Sequence, residues 1–226
     1  MNSICKVAVI VWILSVTVFS DPSLYVGGGL NISSTTATDS LSATKSPRKG
    51  FNVAFGFEQS LTKYISLISG FSVETRGEKT KSTTDIGDAT GSIISVIESD
   101  INLLYLQIPV FAQCNLPLGP GKINLFAGPE MGILLVGKLQ SVDNTTIPST
   151  GIALPAVYDT LDLAKKMKLA DGGISFGIGY EITVGKSAFF LRPSYYLGLT
   201  DYFADGPKGG LRNIKLLAGY KFTFTK

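Results

Sequence analysis

The chain is 226 residues long and 16% charged, with a formal net charge of +3 and no histidine. It is too apolar to be disordered, and its small charge excludes the basic stripe of a nucleic-acid binder. Without histidine it lacks the usual general base, the Ser–His pair and the commonest metal ligand.

"MNSICKVAVIVWILSVTVFS" opens the chain with one basic residue, Lys6, and an apolar run from Val7 to Phe19. The run falls short of the ~20 residues a spanning helix wants, and Ser20 offers a small residue to a signal peptidase. Residues 1–20 therefore read as a signal peptide cleaved after Ser20, with an uncleaved anchor helix as the alternative. Residues 21–226 are then the mature domain. Cys5 lies in the leader, so Cys114 stands alone, which allows no internal disulfide and no thiolate cage. With no base partner in the sequence, Cys114 reads as a small apolar packing residue.

Eight segments of the mature chain alternate with period two. Leu24–Ile32 sets Leu24, Val26, Leu30 and Ile32 against Tyr25, Gly27, Gly29 and Asn31. Phe51–Glu58 sets Phe51, Val53 and Phe55 against Asn52, Ala54, Gly56 and Glu58, and Ile65–Arg76 sets Phe71 and Val73 against Ser72, Glu74 and Arg76. Ile101–Cys114 contains "YLQIPVFAQ", where Leu104, Leu106, Ile108 and Val110 alternate with Gln107 and Pro109. Ile123–Val136 sets Leu125, Met131 and Ile133 against Asn124 and Glu130. Gly173–Ile182 sets Phe176, Ile178 and Tyr180 against Ser175, Gly177 and Glu181. Phe189–Thr200 sets Leu191, Tyr195 and Leu197 against Arg192, Ser194 and Tyr196. Asn213–Phe224 sets Leu216, Tyr220 and Phe222 against Lys215, Gly219 and Lys221.

The connections alternate as well. Gln59–Tyr64, Asn115–Lys122 and Thr183–Ala188 are short; Ser33–Lys49, Gly77–Asp100 and Gly137–Gly172 are long, polar loops; Asp201–Arg212 is intermediate. Short turns on one rim and long loops on the other are the topology of a transmembrane barrel with both termini at the short-turn side. Within the third long loop, Val157–Lys168 has Leu161, Ala164, Lys165 and Lys168 at helical spacing, with Asp159 and Asp162 early and the lysines late. That pattern predicts a short loop helix.

The expected fold is therefore all-β: an eight-stranded antiparallel up-and-down transmembrane β-barrel with a short helix in the third long loop. A soluble barrel also alternates, but its outward set is rich in Lys, Glu and Asp. Here one set is uniformly large and apolar and the other is mostly Gly, Ser, Asn and Ala. Small side chains suit the interior of a narrow barrel, and large apolar ones suit lipid. The lipid-facing set includes Phe55, Phe71, Leu106, Ile178, Leu197 and Phe222. The inward charges Glu58, Glu74, Arg76, Glu130, Glu181, Arg192, Lys215 and Lys221, with Gln107 beside them, balance in sign and compose an interior network. The alternative places some of them at the rims, snorkelling to water. Tyr25, Tyr64, Tyr180, Tyr195 and Tyr220 are candidates for interfacial belts. Pro109, Pro129 and Pro193 each remove a ladder donor, which a bulge or a bound water would reconcile.

"YLQIPVFAQ" resembles the tyrosine–leucine–acid–isoleucine–proline signature of PorT-type outer-membrane β-barrel proteins. "LFAGPEMGILL" (125–135), "DGGISFGIGYEI" (171–182), "LRPSYYLGLTDYF" (191–203) and "RNIKLLAGYKFTF" (212–224) are similar to its later strands, in order. The resemblance implies a barrel addressed to the outer membrane of a Gram-negative bacterium. It implies no single activity. The sequence departs from the family at Gln107, where the family often has an acid, and in running to Thr225 and Lys226 past the terminal aromatic.

"GGG" at Gly27–Gly29 lacks the helix and lysine of a phosphate loop, and Asp85 and Asp88 lack EF-hand spacing. No cofactor or metal is expected. The first functional reading is a non-enzymatic barrel with a filled bore that binds a protein or a surface polymer through its long loops. A narrow transport pore, a soluble ligand-binding barrel and a lipid-modifying enzyme are the alternatives.

Overall fold

The computed structural model describes residues 22–36, 43–88, 91–148, 150–163, 167–201 and 209–224. The expected leader, Lys165, Lys166 and the terminal Thr225 and Lys226 lie outside the described residues. The strands are β1 (Pro22–Thr35), β2 (Ala43–Ser60), β3 (Ile65–Asp88), β4 (Gly91–Leu118) and β5 (Gly121–Ile147). They continue with β6 (Ile152–Ala153), β7 (Val157–Asp162), β8 (Ala170–Val184), β9 (Ser187–Gly198) and β10 (Leu211–Thr223). Eight of them, β1 to β5 and β8 to β10, pair antiparallel in a closed ring, completed by β1 with β10 and β4 with β5. Closure is what the bilayer demands, because no water there pairs an open edge.

Three short turns gather on one rim. Gly119 and Gly185, both at positive φ, make two-residue turns between β4 and β5 and between β8 and β9. The β2–β3 turn is closed by the Thr62 hydroxyl, which accepts from the Tyr64 and Ile65 amides. Such turns fix register, and register fixes which wall each side chain faces.

On the other rim the structure corrects the expected loops. β3, β4 and β5 run for 24, 28 and 27 residues, more than twice the ~9–11 residues a bilayer needs. Much of Gly77–Asp100 and the first part of Gly137–Gly172 are sheet: β3 pairs with β4 as far as Asp88↔Gly91, and β4 with β5 as far as Ile94↔Thr146. The composition is polar, but Thr, Ile and Val dominate its alternation, and these residues favour extended backbone. Among the described residues of Val157–Lys168 the expected helix is not formed. Its first half is β7, hydrogen-bonded along β5 from Lys138 to Asp143. Val157, Tyr158 and Thr160 supply strand propensity, and an apolar helical face as small as this one has little packing to oppose it.

Two register shifts, between Pro47 and Asn52 on β2 and between Leu104 and Tyr105 on β4, fall where the barrel wall passes into this extension. Bulges of this kind redirect a strand. The in-barrel prolines cause no such slip. Around Pro109 the β3–β4 ladder skips from Ser69↔Val110 to Ser72↔Gln107 and keeps its register. The ladder skips in the same way beside Pro129 and beside Pro193.

Candidate functional site

Side chains alternate around the ring between an exposed outer wall and a filled bore. Phe55, Phe71, Ile178 and Phe222 are exposed on the outer wall, with Cys114. Leu106 and Leu197, at the same parity, are half-buried there. Of the five tyrosines expected at the interfaces, Tyr25 is corrected. It lies inside the bore, edge-on to Phe190 with ring centroids 5.9 Å apart. Its parity on β1 matches that of inward Gly27 and Asn31, so it points away from lipid.

The bore is stacked in four layers. At the long-loop end is an apolar cap of Leu103, Tyr105, Leu134 and Leu211, joined by Leu163 and Met167 from the third connection. That connection is anchored by the Leu163 amide donating to Gly137 O at 2.9 Å and the Leu134 amide to Leu169 O at 2.8 Å.

Beneath the cap lies an ion cluster centred on Arg76, which is fully buried. Its guanidinium donates to Asp171 Oδ2 at 2.9 Å, to Glu130 Oε1 at 3.1 Å and, closer still, to Glu74. Lys215 Nζ lies 2.6 Å from Glu130 and 3.4 Å from Glu74. Ser175 donates to Glu130 at 2.6 Å, and Tyr196 to Asp171 at 2.6 Å. With its amide oxygen toward Arg76, Gln107 accepts from Nη2 at 3.2 Å and donates to Met131 O. The Tyr196 ring lies against the guanidinium at 3.9 Å, a cation–π contact strengthened by desolvation.

An apolar waist follows: Tyr25, Ala54, Ile68 and Phe190, with Phe111 and Leu217 against them. Below it, near the short turns, is a second ion cluster. Glu58 Oε2 takes Arg192 and Lys221, both at 3.1 Å, while Gln113 donates to its other oxygen at 3.1 Å. Lys221 also reaches Glu181 at 2.6 Å, and Lys122 lies 3.2 Å from Glu181. Gln113, Asn115, Asn124 and Ser66 continue this cluster as a hydrogen-bonded chain.

The nine sequence-derived interior residues thus fall into two groups. Glu74, Arg76, Gln107, Glu130 and Lys215 share the upper cluster, and Glu58, Glu181, Arg192 and Lys221 share the lower. Asp171 in the first and Lys122 in the second were not in the sequence-derived set. Both keep the parity of inward neighbours, Ser175 and Asn124. Carrying the alternation back past Gly173 by two residues and past Ile123 by one finds them. Asp171 gives the upper cluster three carboxylates against two cations, and Lys122 gives the lower three cations against two carboxylates. Charge balances over the two clusters together and not within either one.

Above the barrel, the extension presents cross-strand ion pairs, Lys81–Glu98 at 2.8 Å and Lys79–Asp100 at 3.8 Å. Arg48 Nε meets Asp100 at 2.8 Å. At the side of β5, Val157 and Tyr158 of β7 are 64% and 77% exposed. Among the described residues no group of three or more His, Cys, Asp or Glu is arranged to hold a metal ion.

A family model described as "Outer membrane protein beta-barrel domain" matches residues 23–204. Among solved structures the chain is similar to Ail, the attachment invasion locus protein of Yersinia pestis, at 9% identity and a TM-score of 0.42, covering 92% of this chain and all of that one. It is also similar to Neisserial surface protein A, at 13% identity and TM-score 0.40 over 89% of this chain and 97% of that. OprG of Pseudomonas aeruginosa gives 12% identity and TM-score 0.40 over 92% and 98%. A search of curated protein sequences gives no match.

Proposed function

The chain belongs to the outer membrane protein β-barrel family, and from that premise we propose that it is a non-enzymatic, surface-binding member with a sealed bore. The observation that carries this reading is the contrast between the two ends of the same strands. Inside the barrel, β3, β4 and β5 hold Arg76, Gln107 and Glu130 in a filled bore; beyond it they continue as an extended sheet with β7 exposed at its side. A bore packed with side chains has little capacity for transport, whereas a rigid sheet projected past the membrane is a surface for binding. The bore carboxylates are engaged in ion pairs, and without histidine no base is poised for catalysis. Within the family, the ordered motifs support a reading of the chain as a PorT-type barrel. The outer wall carrying Phe55, Phe71, Leu106, Ile178, Leu197 and Phe222 faces lipid, the two ion clusters act as internal struts, and residues 1–20 are the cleaved address. A protein or a surface polymer of the cell exterior is the partner class.

Recording from purified protein in planar bilayers tests the sealed bore. A flat current is expected, and steady openings would favour the narrow-pore alternative. Outward placement of the extension is tested by Tyr158→Cys in a Cys114→Ala background. A membrane-impermeant maleimide should label it on intact cells, and protection until the cells are lysed would reverse the assigned orientation.

A further inference from the structure

The waist between the two ion clusters encloses a cavity of about 60 Å³. Its lining is mixed. Ile68, Phe111 and Leu217 are among its apolar lining residues, and Ser72, Ser194, Glu74 and Arg192 are among its polar ones. Two of these polar residues each have a buried side-chain atom without a hydrogen-bond partner. Glu74 Oε2 accepts no hydrogen bond, although Lys215 lies 3.4 Å away, and Arg192 Nε makes none. Both residues are more than nine-tenths buried. A buried charged group with an unmade hydrogen bond is costly, because it has lost its water and gained nothing in return. One atom is an acceptor from the upper cluster and the other a donor from the lower.

We propose that this chamber is a water-binding site, in which ordered water accepts from Arg192 Nε and donates to Glu74 Oε2, joining the two ion clusters through the apolar waist. The volume suits it: water at liquid density takes about 30 Å³, and a buried water needs two to four polar partners. The hydroxyls of Ser72 and Ser194 provide the remaining partners. An empty cavity is the outcome for a purely apolar lining, and this lining is not apolar. The bore is then sealed to solutes yet internally wet, and the waist is held by polar bridging as well as by packing.

The test uses the full-length protein folded in detergent micelles. Water-to-amide NOE cross-peaks are expected at Ser72 and Ser194, and a high-resolution crystal structure should show ordered density within hydrogen-bond distance of Glu74 Oε2 and Arg192 Nε. Ala54→Val, which adds two carbons to the chamber wall, should abolish those cross-peaks while the dispersed spectrum of the folded barrel remains. An empty chamber in the crystal, or cross-peaks that survive in a folded Ala54→Val protein, would overturn the proposal. If Ala54→Val does not fold, the crystallographic density of the unmodified protein decides.

Discussion

Arg76 is the residue on which the upper half of the bore turns, because three carboxylates face it from β3, β5 and β8. Arg76→Met keeps most of the volume but leaves Lys215 as the cluster's one cation against three carboxylates, and removing one partner of a buried ion pair costs about 3–5 kcal/mol. Urea titration in lipid vesicles should show a loss of that order. Arg192→Met should cost less, because Lys221 and Lys122 still face Glu58. At the surface the same chemistry carries little weight. The hydrogen bond from Lys81 holds the Glu98 carboxyl below its ordinary range. A lowered value means that the pair's contribution is complete above the ordinary carboxylate pKa and is lost as pH falls through the lowered one. Both side chains are solvent-exposed, so solvent screens the pair. An NMR titration should place Glu98 below a free glutamate, while Glu98→Gln leaves the unfolding midpoint at neutral pH unchanged. Which wall each of these residues faces is legible in the sequence, since parity along a strand is visible there. Asp171 and Lys122 lie two residues and one residue before the strand starts that the apolar alternation marks, Gly173 and Ile123. The division into two clusters could not be read at all, since it depends on how the tilted strands stagger around the ring.

The strands explain two features that look anomalous in the linear sequence. Gly27–Gly29, which resembles a phosphate loop, lies on the β1–β10 seam that closes the barrel, where a Cβ on Gly29 would run into the backbone of Leu216. Gly29→Ala must therefore push the first and last strands apart. It should lower the fraction of folded, compact barrel seen by gel mobility, whereas Gly28→Ala, with its Cβ position nearly free of neighbours, should not. Pro129 faces outward on β5 beside a skipped stretch of the β4–β5 ladder. Pro129→Ala returns an amide donor to the backbone, worth about 0.5–1.5 kcal/mol net, reduced by the entropy that proline removed from the unfolded chain. The expected result is a modestly raised urea midpoint, and a lowered one would show that the proline ring itself is packed to advantage. The number and order of barrel strands were readable because each carries an apolar wall of period two. The extension was not. Gly77–Asp100 has no lipid to face, both faces of its first part, Glu78–Asp85, are polar, and polar sequence of that kind is equally compatible with loop. Its extended form comes from pairing with strands already fixed by the barrel, and the same pairing took Val157–Asp162 from helix to β7.

At the scale of the molecule, the bore is closed by layers in series: the apolar cap, the upper ion cluster, the waist and the lower ion cluster. A hydrated ion must cross all of them, so barriers add along the path and the removal of one leaves the others standing. Each layer opposes passage by its own physics. The cap and waist narrow the path with packed apolar side chains, and the clusters hold charged side chains that must first be pulled from partners at 2.6 to 3.1 Å. Thinning a single layer should therefore not make a pore. In planar bilayers, Phe190→Ala, which cuts into the waist, and Arg192→Ala, which loosens the lower cluster, should each remain as silent as the unmodified protein. Urea titration of the same variants should register their weakened packing and ion pairing. Regular conductance steps from either variant alone would mean that one layer carries the whole seal. A barrel closed by a single removable layer is built like a gated pore, and the sheet above it would then be the vestibule of a channel instead of a binding surface.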